Sequence, residues 1–292
     1  QEKRAANPKL LYTRAQALEN LGDLEGAARD GARAHAIDPS GAFHDALLLA
    51  HRCNVRRLGT TAGPKPRPQD FEITTVLGEG NYTRVLLAQS VWTQESFAIK
   101  TVSLAQVTKT ERRHKNVRNE LVMEREVLIE MRPHANVVRL YHTFKDAQSL
   151  YFLFQYVAGS VELFHILCDA GPKDKRKEMT VHSVPASAAR HYAAQTVNAL
   201  EHLHAHGVVH RDLKPENIMV RPDHRIFLID FGTAKNLRDD THNGPEFVGT
   251  PEYMSPEAIN SKATGPEADL WALGCILYQM LCGQNAFVGG SQ

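Results

Sequence analysis

Asp212, Lys214 and Asn217 stand close together in the segment His210-Arg211-Asp212-Leu213-Lys214-Pro215-Glu216-Asn217. A carboxylate, an ammonium and a carboxamide at this spacing are the groups that phosphoryl transfer asks for. They supply a base for the attacking hydroxyl, a cation beside the phosphate and an oxygen ligand for a metal. Eight residues of this kind can also be a polar surface loop. The reading therefore depends on whether the elements that must position these groups occur around them.

They occur in order. The strand-like run Phe71 to Leu77 leads into Gly78-Glu79-Gly80-Asn81-Tyr82-Thr83-Arg84-Val85, a glycine loop between strands that lets backbone amides close over phosphate oxygens. Further on, the apolar strand Phe97-Ala98-Ile99 ends in Lys100. A lysine so placed needs a carboxylate from the following helix, 118–131. Glu124 fits best, because Val127, Leu128 and Met131 follow at three, four and seven residues as a core-facing stripe. Glu120, one turn earlier on the same face, is the alternative. A long helix, 187–206, then delivers the chain to the Asp212 loop, with Ala188, Tyr192, Gln195, Ala199 and Leu203 stepping down one side. After the loop, 218–220 and 226–229 form a hairpin about Pro222-Asp223-His224, and Asp230-Phe231-Gly232 follows directly. His202, His204, His206 and His210 point in different directions on this reading and do not make a metal site.

These motifs resemble those of the protein kinases, whose catalytic loop reads H-R-D-L-x-x-x-N, whose third strand carries V-A-I-K and whose metal-binding turn is D-F-G. The blocks Asp230-Phe-Gly-Thr-Ala-Lys235, Phe247-Val-Gly-Thr250 and Asp269-Leu-Trp-Ala-Leu-Gly-Cys-Ile-Leu-Tyr278 are similar to the 3-phosphoinositide-dependent branch of the AGC serine/threonine kinases, from Phe71 to about Phe287. The resemblance implies an α+β, two-lobed protein-kinase fold, with a small antiparallel β lobe and an α-rich large lobe that is C-terminally incomplete. It implies ATP and Mg2+ as cofactors and protein substrates, other kinases among them. Asp212 and Lys214 become the catalytic pair, and Asn217 and Asp230 the metal ligands. Leu77, Gly78, Gly80, Val85, Ala98, Lys100, Glu124, Phe154, Gln155, Val157 and Glu162 become the ATP-binding set, and Arg211, Lys235, Thr241, Glu246 and Thr250 regulatory positions.

Two departures from the pattern matter. Thr83 replaces the third glycine of the loop, and Glu246 stands where relatives carry a phosphorylated serine that pairs with the catalytic-loop arginine. A carboxylate has about half the charge of a phosphate, so Glu246 is expected to hold Arg211 without phosphorylation. Thr241 is the remaining nearby phosphorylation candidate. Met123 stands at the helix position that assists the phosphate in relatives, and Glu257 is expected to be an unpaired carboxylate with apolar surface beside it.

Ahead of the kinase-like region (71–292) lie a helical segment, 1–59, and a Pro-rich linker, 60–70. Leu11, Ala15 and Leu18 share one helical face, Gly22-Asp23 breaks the run, and Leu24, Ala27, Gly31 and Ala34 continue it. The pattern is similar to a tetratricopeptide repeat, with 43–53 as the first helix of a second, and implies a peptide partner; an ordinary helical hairpin is the other reading. The basic stretch Lys109, Arg112, Arg113, Lys115, Arg118 is a solvated helix entrance or a site for a phosphorylated peptide, and 173–177 is a solvated insertion. A net charge of +1 gives no nucleic-acid footprint. Four cysteines without metal or disulfide spacing fit a reducing, cytoplasmic setting. No apolar run approaches the roughly 20 residues of a membrane span. A catalytically silent kinase-fold scaffold is the alternative function.

Overall fold

The structure, a computed structural model, describes residues 7–37, 49, 66–91, 95–169, 182–238, 241 and 247–287. Two units are distinguished. One comprises Gln1–Lys115, Ile129–Pro133 and Arg139–Tyr156; the other comprises Asn116–Leu128, His134–Val138 and Val157–Gln292.

In the first unit, alternation is clearest along the third strand, where Phe97 and Ile99 are buried and Ala98 and Lys100 half-buried. β1 (Phe71–Glu79), β2 (Thr83–Ser90), β3 (Ser96–Ser103), β4 (Leu140–Lys145) and β5 (Ser149–Gln155) form an antiparallel sheet in the order β1-β2-β3-β5-β4. Phe97 and Ile99 are buried with Phe71, Ala88, Tyr141, Phe144 and Leu153 in one apolar cluster. Its rings interlock: Phe71 meets Phe97 edge-on at 5.7 Å and stacks on Phe144 at 6.2 Å. The period of two turns Ala98 and Lys100 to the other face. There Lys100 lies opposite Val85 and Phe152, and Ala98 lies opposite Leu87 and Phe154. The helix α3 (Leu104–Glu111) follows, its N-terminus capped by Ser103, whose hydroxyl accepts from the Gln106 amide at 3.4 Å.

The N-terminal hairpin is also in this unit. α1 (Pro8–Asn20) begins with Pro8 behind an Asn7 cap and ends before Gly22, whose φ of +82° suits glycine. Asp23 accepts from the Gly26 amide at 2.9 Å and starts α2 (Leu24–Ile37). Ala15, Ala27, Ala28 and Leu49 are buried together, as are Leu11 and Ala34. Small side chains bring the helices close enough for Arg14 Nη2 to donate to Asp30 Oδ1 at 2.9 Å, although Asp30 is wholly buried. Residues 43–48 and 50–53, expected as a further helix, and 60–65 of the linker lie outside the described residues, as do 173–177.

The second unit carries most of α4 (Val117–Glu130), with Val127 and Leu128 buried as the spacing predicts. Its small sheet joins β6 (Val161–Glu162), β8 (Ile218–Val220) and β9 (Ile226–Leu228), and α5 (Leu163–Asp169) follows β6 directly. The long helix α6 (Ala186–Ala205) runs into β7 (Val208–Val209), which pairs with β10 (Lys235–Asn236). The buried stripe of α6 is Ala189, Tyr192, Thr196, Ala199, Leu200 and Leu203. Ala188 and Gln195, expected on that stripe, are half-buried; Gln195 sits at its polar border, where its Oε1 accepts from the Ile226 amide at 3.1 Å. α7 (Pro256–Ile259) and α8 (Pro266–Cys282) complete the unit, and Gly283 with φ +67° ends α8.

Candidate active site

Asp269 is the point from which the site can be built. It sits in the first turn of α8 at zero exposure, and an isolated buried carboxylate would be costly. Here its Oδ2 accepts from the His210 amide at 2.9 Å and from His204 Nε2 at 2.8 Å, and its Oδ1 accepts from the Arg211 amide at 2.9 Å. These bonds hold Arg211 at φ +66°, a left-handed conformation uncommon for a side chain of this size. The chain thereby turns Asp212 away from the core, while Leu213 drops into it at 1% exposure.

Around Asp212 the polar groups converge. Thr250 Oγ1 donates to Asp212 Oδ1 at 2.7 Å, Lys214 Nζ lies 2.8 Å from Asp212 Oδ2, and Lys214 Nζ also donates to Thr250 Oγ1 at 2.8 Å. Asn217 Nδ2 donates to the Asp212 carbonyl at 2.8 Å and to Asp212 Oδ2 at 3.2 Å. Both partners only accept, so the Asn217 amide nitrogen must face Asp212 and its Oδ1 is turned away as an acceptor. Asn217 is in turn fixed by its carbonyl, which accepts from the Ile229 amide at 3.0 Å, next to Asp230.

Asp230 has φ +61°, and its Oδ1 lies 3.4 Å from the Gly232 amide. His210 locks this turn to the loop. Its Nδ1 accepts from the Asp212 amide at 3.4 Å, so its Nε2 carries the proton and donates to the Ile229 carbonyl at 3.1 Å. Arg211 Nε donates to the Thr233 carbonyl at 2.7 Å and Nη2 to the Ala234 carbonyl at 3.3 Å. Thr233 Oγ1 closes the circuit onto the His210 carbonyl at 3.2 Å.

Gly249 passes so close that a Cβ there would lie 2.6 Å from the Arg211 carbonyl oxygen, and its φ of +111° is a glycine conformation. Lys235 pairs opposite Val209 in the β7–β10 ladder. Thr241 is exposed. Glu246 lies outside the described residues, so its expected pairing with Arg211 does too. Glu257 is half-buried and, among the described residues, makes no ion pair; α8 exposes Leu270, Trp271, Tyr278 and Leu281, and Trp271 stacks on Phe287 at 5.4 Å.

Glu162 pairs opposite Met219 in the β6–β8 ladder, with its Oε2 3.4 Å from His165 Nδ1. Burial lifts its carboxyl above the ordinary range; His165 opposes that shift and the Glu216 charge adds to it. Val157 accepts from the Ser160 amide at 3.2 Å in the turn before β6, and Glu124 is buried in α4 while Glu120 is half-buried.

Four of the residues expected to bind ATP gather on one sheet face of the first unit. Val85, Ala98, Lys100 and Phe154 are cross-strand neighbours there, and the Gln155 amide donates to the Arg139 carbonyl at 2.9 Å. The glycine loop is a tight hairpin end: the Gly80 amide donates to the Thr83 carbonyl at 2.8 Å, Gly78 pairs opposite Val85, and Leu77 is exposed.

Asp269 and His204 are the functional residues that motif reading did not assign. The available signal was an acid in the first turn of an otherwise strongly apolar helix, which burial obliges to find donors.

The arrangement is that of a protein kinase. The protein kinase domain family matches residues 71–292, and the chain belongs to that family. It is 39% identical over 230 residues to 3-phosphoinositide-dependent protein kinase 1 of Rattus norvegicus, covering 78% of this chain and 38% of that relative. Serine/threonine-protein kinase ksg1 of Schizosaccharomyces pombe is 36% identical over 240 residues, covering 77% and 38%. Sgk2 of Mus musculus is 33% identical over 230 residues, covering 79% and 58%. The chain thus spans about two fifths of the length of the first two. Among the described residues no helix is long and apolar enough to cross a membrane.

Proposed function

We propose that this chain is a serine/threonine protein kinase that uses ATP with magnesium. The observation that carries this reading is the Asp212–Thr250–Lys214–Asn217 constellation. Thr250 shows a hydroxyl donating to Asp212 Oδ1 at 2.7 Å, which is the approach a substrate serine or threonine needs for its proton to be taken. Lys214 keeps a positive charge 2.8 Å from both Asp212 and Thr250, where negative charge grows on a transferring phosphoryl group.

The residues fit a hard cation. Asn217 Oδ1 is turned away from Asp212, and the Asp230 carboxylate follows the strand beside it, giving two oxygen donors of the type magnesium takes. Among the described residues no cluster of three or more His, Cys, Asp or Glu could hold a metal, so phosphate oxygens and water would complete the shell. Bound ATP with magnesium supplies the phosphoryl group and neutralises its charge. Asp212 orients the hydroxyl and accepts its proton, Lys214 steadies the phosphoryl oxygens, and Lys100, with Glu124 as its carboxylate, positions the inner phosphates. Val85, Ala98, Phe154 and Leu77 would supply apolar surface to the purine, Gln155 and Val157 backbone hydrogen bonds to it, and Glu162 a contact to the ribose.

Glu246 is proposed to hold Arg211 in place of a phosphoserine, so Glu246→Ala should lower turnover at least ~10-fold. Other kinases' activation segments are the substrate class we favour, by the resemblance to the phosphoinositide-dependent relatives. The α1–α2 hairpin, braced by Arg14 and Asp30, is proposed as a repeat-type unit for a peptide partner. Cys168, Cys275 and Cys282 are free thiols, which supports a cytoplasmic setting. The test is incubation with labelled ATP, magnesium and peptides bearing serine, threonine or tyrosine. Label on serine and threonine, lost in Lys100→Met, is expected. Wild-type chain that binds ATP and transfers nothing would establish the silent scaffold instead.

A further inference from the structure

Three imidazoles stack beside the site without entering it. His134 lies face to face with His202 at 4.5 Å between ring centroids and 16° between planes, and His202 meets His206 at 4.4 Å and 47°. All three are half-buried.

The hydrogen bonds fix how the outer two carry their protons. The Asn136 amide donates to His134 Nδ1 at 3.2 Å, so that nitrogen holds a lone pair. The His202 carbonyl can only accept, so His206 Nδ1, 2.8 Å away, carries a hydrogen. A second proton on His134 must go to Nδ1, which breaks its bond from Asn136 and places a cation against the next ring.

The consequence reaches the strand that ends at Asp230. The His134 segment is tied to β9 on both sides of Leu228: the Leu228 amide donates to the Asn136 carbonyl and the Val138 amide to the Leu228 carbonyl, each at 2.9 Å. Asn136 Nδ2 also donates to the Ile226 carbonyl at 2.8 Å, and its Oδ1 accepts from Asn198 on α6 at 2.9 Å. Whatever displaces His134 from α6 therefore pulls on β9, two residues before Asp230.

We propose that His134, stacked on the His202–His206 pair, is an acid-sensitive positioning device, whose neutral ring seats 134–138 on α6 and so fixes β9 and the Asp230 turn. Among the described residues of α6 and the β8–β9 turn, the other ionisable groups are engaged elsewhere or exposed. His204 on α6 faces Asp269, and His191 bonds to the His224 carbonyl. Arg190 and Glu201 are exposed, and on the β8–β9 turn Asp223 pairs with Arg221 and Arg225. The neighbours of the His134 ring nitrogens are neutral, the Asn136 amide at Nδ1 and Asn198 Nδ2 3.5 Å from Nε2, and burial alone holds this imidazole below the usual 6.5. A base whose folded pKa is depressed resists a proton that the unfolded chain accepts. The stack's contribution is therefore full above pH 6.5 and declines as pH falls below it.

The effect on catalysis rests on the kinase reading; the structural effect does not. The experiment is hydrogen exchange of residues 224–231 in the whole chain at pH 7.5 and 5.8, corrected for intrinsic rates, in wild type and His134→Phe. Phenylalanine keeps a ring against His202, cannot take a proton, and loses the Asn136 bond equally at both pH values. Wild type should exchange roughly 5-fold faster at the lower pH, and His134→Phe less than about 2-fold faster. Phosphate transfer measured alongside should fall about 2-fold or more in wild type between those pH values and stay nearly level in the variant. If His134→Phe is unfolded at pH 7.5, His134→Asn takes its place with the same expectation. Equal acid sensitivity of wild type and variant in exchange, or none in wild type, overturns the proposal. Absence of transfer at both pH values overturns the kinase reading and leaves the exchange result to decide this one.

Discussion

The glycine hairpin of the first unit and the Asp212 loop of the second are built in opposite ways. From Glu72 to Asn81 every residue of the hairpin is exposed, and its ion pair, Arg84 to Glu79, is a surface one. In the catalytic loop His210 is wholly buried, Leu213 and Asn217 nearly so, and the side chains of His210, Arg211, Asp212, Lys214 and Asn217 are each hydrogen-bonded, to Ile229, Thr233, Thr250 or one another. The difference teaches that the hairpin is open, adaptable surface, whereas the loop holds its atoms in set positions; on the proposed function the first would meet the nucleotide and the second the substrate hydroxyl. Preorganised groups act where charge develops, so their displacement should lower turnover; adaptable surface acts on binding, so its alteration should change KM.

The comparison is broken most severely at Asp269. Asp269→Ala leaves the His210 and Arg211 amides and His204 Nε2 without their acceptor, at about 1–3 kcal/mol for each buried donor. Denaturant melts should show that loss, and transfer should fall at least ~100-fold. Gly249→Ala comes next. Its methyl group would meet the Arg211 carbonyl oxygen at 2.6 Å from a backbone conformation that alanine disfavours. A stability loss of about 1–3 kcal/mol and a kcat reduced roughly 10-fold, with KM for ATP little changed, are expected.

On the other side, Gly80→Ala should raise KM for ATP only about 3-fold. The Cβ would approach Thr83 Oγ1 at 2.7 Å, and that side chain can rotate away. A kcat loss larger than the KM change would mean that the hairpin is as preorganised as the loop.

The smallest effect is expected outside both regions. Hydrogen bonding by Arg14 holds the Asp30 carboxyl below its ordinary 3.8. Its contribution to the α1–α2 hairpin is therefore present above that pH and lost as pH falls through the lower folded value. Helical signal from 7–37 should weaken below pH 3.8 in wild type, and Asp30→Asn should remove that dependence.

Much of this was legible in the sequence because kinase motifs are local. Gly78, Asp212, Asn217 and Asp230 each sit near a strand end or in a tight loop, where a few neighbouring residues announce the turn. Lys100, expected to end its strand, lies inside one that runs on to Ser103. The 218–229 hairpin followed from its apolar runs and turn residues, whereas the strand at 140–145 was not read. Asp269 was not legible as a partner of the loop, because its hydrogen bonds bridge 58 and 59 residues of sequence. Thr250 was read as regulatory, yet it donates to Asp212 across 38 residues. The α6 stripe was displaced by one position at Ala188 and Gln195, since a helix that buries Thr196 can expose an alanine as readily as a polar residue. The histidine stack was misread: 202 and 206 were expected to point in different directions, yet four residues apart they share a helix face and their rings meet at 4.4 Å, and His134 joins them from a segment distant in sequence.

The central claim is that Asp212 is the base of a phosphoryl transfer. It is tested most directly by single-turnover transfer from labelled ATP to a serine peptide by wild type and Asp212→Asn, with ATP affinity measured on the same samples. Asparagine keeps the shape and removes the proton acceptor, so the rate should fall by a factor of roughly 10³ while affinity for ATP stays within about 3-fold. Transfer by Asp212→Asn at the wild-type rate would contradict the account.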